Sequence, residues 1–239
     1  ISARVAADEL IVQKNSELAL LNSEKDKLFS IIAHDLRSPF NNLLGMTSLL
    51  LDELNDMSVE EIRQTATMLQ HSSSVLFRLI ENLLQWARIQ LGSLNVEPVE
   101  TNLLPLVEES LLLVKEVAVK KNIEIQNNIL EGIPLVADPN ILQTILRNLL
   151  FNAVKFTKKG GIVSVSAFIR DKHELVVKIK DNGVGMKAEI LENLFEKCNR
   201  ATTRGTDGES GTGLGLILCK ELIERHRGHI WATSEPDKG

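Results

Sequence analysis

Four groups of residues in the sequence have types and spacings that suit chemistry at a site. In the first, Asp35 directly follows His34 inside a long helical pattern, and His34 points away from the apolar stripe of that helix. A carboxylate bonded to one imidazole nitrogen fixes the tautomer and leaves the other nitrogen as a nucleophile. An exposed histidine on a helix is most often only a solvated residue, so this pair alone does not establish a site.

The second group lies on a helical pattern in the second half of the chain. Asn148, Asn152 and Lys155 fall within about 60° of one another around that helix. Asparagine is a poor helix former, so two of them inside one helix call for a reason. An amide oxygen can ligate Mg²⁺, and a lysine one turn further on can hold phosphate oxygens. The alternative, that a surface helix simply needs a polar face, stays open.

The third and fourth groups contain glycines. Asp181-Asn182-Gly183-Val184-Gly185-Met186 follows a predicted strand, and its carboxylate can accept a hydrogen bond from the amine of adenine. Residues 211–216, Gly-Thr-Gly-Leu-Gly-Leu, open a helix and suit a phosphate group. The first is also compatible with an ordinary turn. The second is neither a Rossmann fingerprint nor a Walker A motif, because it follows a polar loop and no Gly-Lys-Ser/Thr comes after it.

The elements that must position the first group are two helices. Residues 5–54 read as one long helix, and Pro39 predicts a bend near His34 because it frees the carbonyl of Asp35. The first part of this helix favours a parallel coiled coil over a single amphipathic helix. Ser58 and Glu61 form a capping box for a second helix, whose buried stripe is expected at Ile62, Thr65, Leu69, Leu76, Ile80, Leu83 and Ala87. One such hairpin buries its stripe poorly, so we expect a homodimer that forms a four-helix bundle.

The second half alternates between strands and helices. We expect strands at 95–100, 123–125, 134–136, 161–169, 174–180 and 229–234, and helices at 103–121, 138–156 and 214–225, with Asp138 as N-cap and Pro139 at the first helical position. Residues 183–210 are expected to contain a mobile loop. This order predicts an α/β layer.

Composition excludes several function classes. The 239 residues carry a net charge of −5, with 44% hydrophobic, 25% charged and 4% aromatic residues and no Tyr, which argues against a nucleic-acid partner. Cys198 and Cys219 form neither a disulfide framework nor a metal-ligand pattern. No apolar run reaches the roughly 18 residues of a membrane span. We interpret the chain, which begins at Ile1, as a cytoplasmic fragment of a protein whose full length has a membrane anchor, if any, upstream.

In chain order, these groups resemble the motifs of the sensor histidine kinases of two-component systems. Residues 29–39 have the order Phe-x-x-x-x-His-Asp-Leu-Arg-x-Pro, residues 148–156 resemble the N box, 181–185 the G1 box, 194–196 the F box and 211–215 the G2 box. The second half then resembles the Bergerat-type ATP-binding fold that these kinases share with gyrase-like ATPases.

The resemblance implies ATP and Mg²⁺ as cofactors and a role for each matched residue. Asn152 would ligate Mg²⁺, Asn148 and Lys155 would assist with phosphate or metal, and Asp181 would read adenine. His34 would receive the phosphoryl group with Asp35 orienting its ring, and Arg200 matches an arginine that assists the γ-phosphate. The other residues assigned to nucleotide binding are Gly183, Gly185, Phe195, Gly211, Gly213, Leu214 and Gly215.

The implied function is ATP-dependent autophosphorylation on His34, followed by phosphoryl transfer to an aspartate of a separate response-regulator receiver domain. The implied fold is a helical hairpin that dimerises into a four-helix bundle, followed by an α/β sandwich of the histidine kinase ATPase type. The expected domains are a coiled-coil signalling helix at 1–27, the phospho-acceptor hairpin at 28–92 and the ATP-binding domain at 93–239, without the last strand of the family.

Several positions depart from the family pattern. Lys197 and Cys198 stand where the F box usually has Pro and Phe, and Arg227 replaces a usual Gly after His226. Ser38 occupies a position where Thr or Asn usually supports dephosphorylation of the partner.

Two rival classes follow from the same residues. One is a scaffold that binds nucleotide without transferring phosphate, against which the intact His34, Asp35, Asn152 and Asp181 argue. The other is an ATPase or serine kinase on the same nucleotide fold, which would not need the 91-residue helical region that carries His34.

Overall fold

A computed structural model of the protein describes residues 2–170, 174–196, 204–209 and 213–239. Within these ranges the chain forms two compact units, residues 1–81 and 82–239. The first is helical, and the second, except for its first residues, is the α/β layer that the alternating elements predicted. None of the helices in the described ranges combines the length and the apolarity that crossing a bilayer requires.

Two long helices make up the first unit and lead into the second. Helix α1 spans Ser2–Glu53 and continues through Pro39, and helix α2 spans Val59–Gln90. The predicted capping box is present. The backbone N–H of Ser58 donates to Glu61 Oε2 at 2.7 Å, and the N–H of Glu61 donates to Ser58 Oγ at 3.3 Å. Since the Glu61 carboxylate accepts from both the backbone and the hydroxyl of Ser58, the pKa of Glu61 lies below its usual value.

The buried stripe of α2 matches the expected one only in part, because it also contains five residues that were not predicted: Ser72, Leu79, Asn82, Trp86 and Ile89. Thr65, Ser72 and Leu79 are buried, whereas Ile80, predicted to be buried, is 41% exposed. Leu79 and Ile80 both lie three or four residues from Leu76 and Leu83, so helical periodicity alone cannot choose between them.

The second unit contains two small sheets. The bounds of its elements are β1 Val99–Asn102, α3 Leu103–Lys120, β2 Glu124–Asn128, β3 Pro134–Ala137, α4 Pro139–Phe156, β4 Ile162–Arg170, β5 Glu174–Asp181, α5 Ala188–Glu192 and α6 Leu214–Arg225. Strands β1 and β3 pair antiparallel, with Val99 opposite Ala137. In the other sheet β4 lies between β2, which is parallel to it, and β5, which is antiparallel to it.

The pairing of β4 with β5 confirms the prediction that 161–169 and 174–180 form adjacent strands. The predicted strand at 229–234 is wrong, because these residues form no ladder with any strand in the described ranges. Alternation of side chains is a local property, whereas a strand also needs a neighbour for its backbone hydrogen bonds. The short helix α5 was not predicted.

The core of the second unit lies between the helices α3 and α4 and the three-stranded sheet. Its fully or almost fully buried members include Leu103, Val107 and Val114 on α3, Leu146, Leu150 and Val154 on α4, and Val163 and Val165 on β4. Each fully buried Val or Leu side chain stabilises the fold by about 1.5–3 kcal/mol relative to exposure. This packing fixes the rotation of α4 about its axis and therefore the direction of its polar face.

Candidate functional site

Helix α4 begins at the cap that the sequence predicted. Asp138 Oδ1 accepts hydrogen bonds from the backbone N–H of Asn140 at 3.0 Å and of Ile141 at 3.3 Å, and Pro139 takes the first helical position. The second oxygen, Oδ2, accepts from the backbone N–H of Glu97 at 3.1 Å. Asp138 thus satisfies two of the free N–H groups at the helix start and ties the preceding segment to it.

The polar face of α4 carries Asn148, Asn152 and Lys155, all half-buried. The amide of Asn148 donates to the carbonyl oxygen of Thr144 at 2.9 Å. Its other atom, Oδ1, lies against Gly215 near the start of α6, where an added Cβ would be only 2.8 Å away. Gly215 therefore lets α6 approach α4 closely at Asn148.

Asn152 lies one turn further along the same face. No group in the described part of the chain forms a hydrogen bond with its side chain, so the amide is available to a ligand. The described residues contain no cluster of three or more His, Cys, Asp or Glu that would hold a metal ion by themselves. Mg²⁺ is commonly held by only one or two protein oxygens together with water and phosphate oxygens, so a single amide oxygen fits it.

Lys155 lies in the last turn of α4. Burial lowers the pKa of its ammonium group, and the nearby Glu209 carboxylate opposes this effect. The Nζ atom lies 4.5 Å from the centroid of the Phe156 ring, over its face. A half-buried cation at this end of the polar face can attract the oxygens of a phosphate group.

Asp181 ends strand β5 and begins the turn that follows. Its Oδ1 accepts from the backbone N–H of Gly183 at 2.9 Å. Burial raises the pKa of this carboxyl group, although hydrogen bonds from the backbone N–H groups of Gly183 and of Asp181 itself oppose the rise. The side chain of Asp181 is therefore a half-buried hydrogen-bond acceptor. An N–H donor of a bound ligand would satisfy it better than bulk water does.

The glycines after Asp181 permit close backbone contacts. An added Cβ on Gly183 would overlap the carbonyl oxygen of Phe156, which accepts from the backbone N–H of Val184 at 3.1 Å. Gly185 has a φ of 62°, and a Cβ there would overlap the carbonyl oxygen of Glu235. The turn consequently packs against the C-terminal end of α4.

A turn near the end of the chain, which no sequence motif indicated, supports this region. The N–H of Asp237 donates to Val184 O at 2.8 Å, and the N–H of Met186 donates to Ser234 Oγ at 2.8 Å. Lys158 also pairs with Asp237 at 2.7 Å. These contacts join residues that are far apart in the sequence, so no local sequence pattern predicts them.

The start of α6 has its own glycine requirement. Gly213 is the N-cap residue and has a φ of 61°, in the left-handed region, and the following Leu214 is buried. As the N-cap residue, Gly213 has no side chain that could cap the helix itself. Such a helix start can bind phosphate oxygens, as its sequence suggested.

The structure describes the remaining predicted site residues only in part. Phe195 is half-buried in the turn after α5. Asp35 is half-buried on α1, where His34 lies beside it in the chain, but the side chain of His34 is outside the described part. Arg200 and Gly211 also lie outside the described residues. The structure thus brings together Asn148 with Gly215, and Asp181 and Gly183 with the end of α4.

Two family models match the chain. The model described as His Kinase A (phospho-acceptor) domain matches residues 24–92. The model described as histidine kinase-, DNA gyrase B- and HSP90-like ATPase matches residues 137–239. The first range contains His34, and the second contains the polar face of α4 and both glycine groups.

Similar proteins align with nearly the whole length of this chain. The sensor histidine kinase GacS of Pseudomonas protegens is 31% identical over 244 residues, which cover 97% of this chain and 26% of GacS. The chain spans 26% to 62% of the length of the first curated relatives that it matches.

Solved structures show the same fold. The Acinetobacter baumannii histidine kinase AdeS is 21% identical with a TM-score of 0.67, over 86% of this chain and 93% of that one. Full-length ShkA in complex with AMPPNP is 26% identical with a TM-score of 0.61, over 89% of this chain and 43% of that one. With a phospho-acceptor region followed by a histidine-kinase-type ATPase domain, the chain belongs to the sensor histidine kinase family.

Proposed function

We propose that this chain phosphorylates itself on His34 with ATP and passes the phosphoryl group to an aspartate of a response regulator. The observation that carries this proposal is the polar face of α4, where Asn148, Asn152 and Lys155 lie between two glycine contacts, Gly215 at one end and Gly183 at the other. The same chain places a histidine within a matched phospho-acceptor region.

ATP fits the donors and acceptors of this region. Asp181 accepts from the adenine amine, and Gly183 and Gly185 let the backbone of the turn come close to the base. The start of α6 and Lys155 bind the phosphate groups. The complex of the related ShkA with AMPPNP supports a nucleotide at this site.

Mg²⁺ fits the same region, because the Asn152 amide makes no hydrogen bond with other described groups. We assign Asn152 as its protein ligand, with Asn148 beside it on the helix face. When bound, the ion neutralises negative charge on the phosphates during transfer.

The transfer itself is a substitution at the γ-phosphorus. A ring nitrogen of His34 forms a bond to the γ-phosphorus as the bond to the β–γ bridging oxygen breaks, and ADP leaves. Asp35 orients the His34 ring and stabilises the positive charge that forms on it, and Arg200 assists at the γ-phosphate. Such a reaction depends mainly on positioning and charge neutralisation, so a nucleophile on one domain and a nucleotide on another can perform it.

We further propose that the active form is a homodimer built through the helical hairpin. Apolar side chains remain exposed on both helices, including Phe40, Leu44 and Leu51 on α1 and Phe77 and Ile80 on α2. Stripes of this kind at helical spacing are covered when two hairpins form a four-helix bundle.

The proposed domains keep their sequence-based bounds: coiled coil at 1–27, hairpin at 28–92 and ATP-binding domain at 93–239. The end of α2 at Gln90 and the positive φ of 66° at Gly92 support a boundary between the last two.

Incubation with γ-labelled ATP and Mg²⁺ tests the function. We expect label that is labile in acid and stable in base, lost in His34→Ala and kept in the control His71→Ala, an exposed histidine on α2. Both variants should bind ATP as the wild type does. Label that persists in His34→Ala would refute the assignment of the nucleophile, and ATP binding without label would favour the scaffold function.

A further inference from the structure

A buried lysine lies next to the nucleotide region, and no motif accounts for it. Lys121 follows the last residue of α3, and its side chain is only 2% exposed. Burying an ammonium group is costly unless hydrogen bonds and an opposite charge compensate it. The partners of Lys121 therefore indicate what the buried charge holds in place.

Two of these partners are carbonyl oxygens at the end of α4. Lys121 Nζ donates to Val154 O at 2.9 Å and to Lys155 O at 3.0 Å. These carbonyls belong to the last turn, where a helix has no internal donors left and carries partial negative charge. The other two carbonyls of this turn accept from Thr157 and Val184. The end of α4 thus holds two other segments, the one that contains Lys121 and the turn that contains Val184.

The third segment is residues 204–209. Lys121 Nζ lies 2.6 Å from Thr206 Oγ1 and 3.1 Å from Glu209 Oε1. Thr206 attaches to the same helix end, because its backbone N–H donates to Lys155 O at 3.1 Å and its hydroxyl donates to Thr157 O at 2.8 Å.

Hydrogen bonds within residues 204–209 also fold this segment into a compact turn. Gly205 N–H donates to Glu209 O at 2.8 Å, and Asp207 N–H donates to Glu209 Oε2 at 2.9 Å. An added Cβ on Gly205 would overlap the Glu209 carboxylate and would lie 2.6 Å from Lys155 Cγ. The segment therefore packs directly on the side chain of Lys155.

Glu209 connects the two lysines electrostatically. Its carboxylate forms an ion pair with the buried Lys121 and raises the pKa of Lys155 against the effect of burial. Burial would raise the pKa of Glu209 itself, but the backbone donors of Glu209 and Asp207 together with Lys121 hold it below its usual value. The carboxylate therefore stays charged beside Lys155 at neutral pH.

We propose that Lys121 is a positioning residue that fastens residues 204–209, through Thr206 and Glu209, onto the end of α4 and so places Lys155 for the terminal phosphates of the nucleotide. The inference rests on the proposed function through the role of Lys155. It assigns Lys121 to recognition of the polyphosphate, whereas Asp181 and its glycines recognise the base.

Calorimetric titration of the full chain with ATP and with AMP, each with Mg²⁺, separates these two parts of the ligand. We expect Lys121→Met to bind ATP about tenfold more weakly and AMP with an unchanged dissociation constant. The matched control is Lys120→Met, which removes the same charge from an exposed neighbour and should change neither affinity.

Glu209→Gln keeps the test decisive if Lys121→Met does not fold, because Lys121 would retain its two carbonyl partners and Thr206. Glu209→Gln should also weaken ATP binding selectively. If both variants fold, the double variant should lose no more affinity for ATP than Lys121→Met alone, since the two residues act through one contact.

Two results would overturn the inference while leaving the proposed function intact. One is that the variants lower the affinities for ATP and AMP equally, which would mean a purely structural role. The other is that both affinities stay unchanged. A wild-type chain that binds neither nucleotide would instead overturn the proposed function.

Discussion

Among single residues, Asp181 is the proposed acceptor for adenine, and the partial burial of its charge carries an electrostatic cost. Its carboxyl group is half-buried, and burial raises its pKa above the ordinary 3.8. Between 3.8 and the raised value, the folded chain holds a proton that the unfolded chain has released. The contribution of Asp181 to the free energy of unfolding is therefore favourable at pH values below this range. It is lost as the pH rises through the range, because Asp181 is then charged and partly desolvated in the folded chain.

Replacing Asp181 by Asn tests this balance. We expect the variant to bind ATP about 2 kcal/mol more weakly, because a charged acceptor for the adenine amine is lost. It should be at least as stable as the wild type at pH 7, since a partly desolvated charge is removed. ATP titration from pH 5 to 8 and urea unfolding at pH 7 measure both effects.

The pH series supplies the internal control for that variant. Wild-type affinity should fall as pH decreases towards the raised pKa of Asp181, because the protonated carboxyl loses acceptor capacity, and this fall should be smaller in Asp181→Asn. Glu108→Gln, which changes an exposed carboxylate on α3, should behave as the wild type. Equal ATP affinity in wild type and Asp181→Asn would remove Asp181 from the adenine site.

At the scale of elements, the end of α6 shows how a departure from the family pattern is accommodated. Arg227 has a φ of 58°, in the left-handed region. The N–H of Gly228 donates to Ile223 O at 2.9 Å, and the N–H of Arg227 donates to Glu224 O at 2.9 Å. These two hydrogen bonds form a Schellman motif, in which the left-handed residue is usually Gly.

Replacing Arg227 by Gly should therefore stabilise the protein. The left-handed conformation costs a non-glycine residue about 1–2 kcal/mol, and the greater freedom of Gly in the unfolded chain offsets part of the gain. We expect a net increase of about 0.5–1 kcal/mol in the free energy of unfolding, measured in urea. Lys220→Gly, inside α6, should destabilise by about 1 kcal/mol. A loss of stability in Arg227→Gly would contradict this explanation.

The same region joins α6 to the start of α4. The N–H of Asp138 donates to His226 Nε2 at 3.0 Å, and Nδ1 of the same ring lies 3.2 Å from Leu222 O. Only the neutral tautomer with hydrogen on Nδ1 satisfies both contacts. The cap of α4 and the end of α6 are consequently held by one ring, and this keeps the two helices that carry the nucleotide residues in register.

At the scale of the whole molecule, the helical hairpin leaves apolar surface uncovered. Phe77 is 62% exposed on α2, and Phe40 and Leu44 are similarly exposed on α1. Large apolar side chains exposed together on one unit often belong to an interaction site. The proposed four-helix bundle would cover it with the same surface of a second copy.

Phe77→Asp should shift the protein from dimer to monomer, because it places a charge in the proposed bundle interface. Sedimentation velocity at micromolar concentration measures the change. Phe168→Asp, at a 48% exposed position on β4, is the matched control and should leave the oligomeric state unchanged. A monomeric wild type, or a dimer unaffected by Phe77→Asp, would argue against the bundle.

Most of the elements and the order of the motifs could be predicted from the sequence alone. Helix α4 could be bounded because Asp138 and Pro139 are local start signals, and both helices of the hairpin followed from apolar spacing and the Ser58–Glu61 box. The family, too, could be named from ordered motifs. These features depend on residues that are neighbours in the chain, and local physics is enough to recognise them. The roles of the site residues and the domain bounds stay predictions.

The contacts between distant segments could not be predicted from the sequence and follow from the folded structure. It selected Leu79 over Ile80 for burial and left 229–234 without a ladder partner. It also joined Lys121 to Glu209, 88 residues later, at the end of α4. Each outcome depends on packing and hydrogen bonding between distant parts of the chain, which compete with local preference and leave no periodic signal in the sequence.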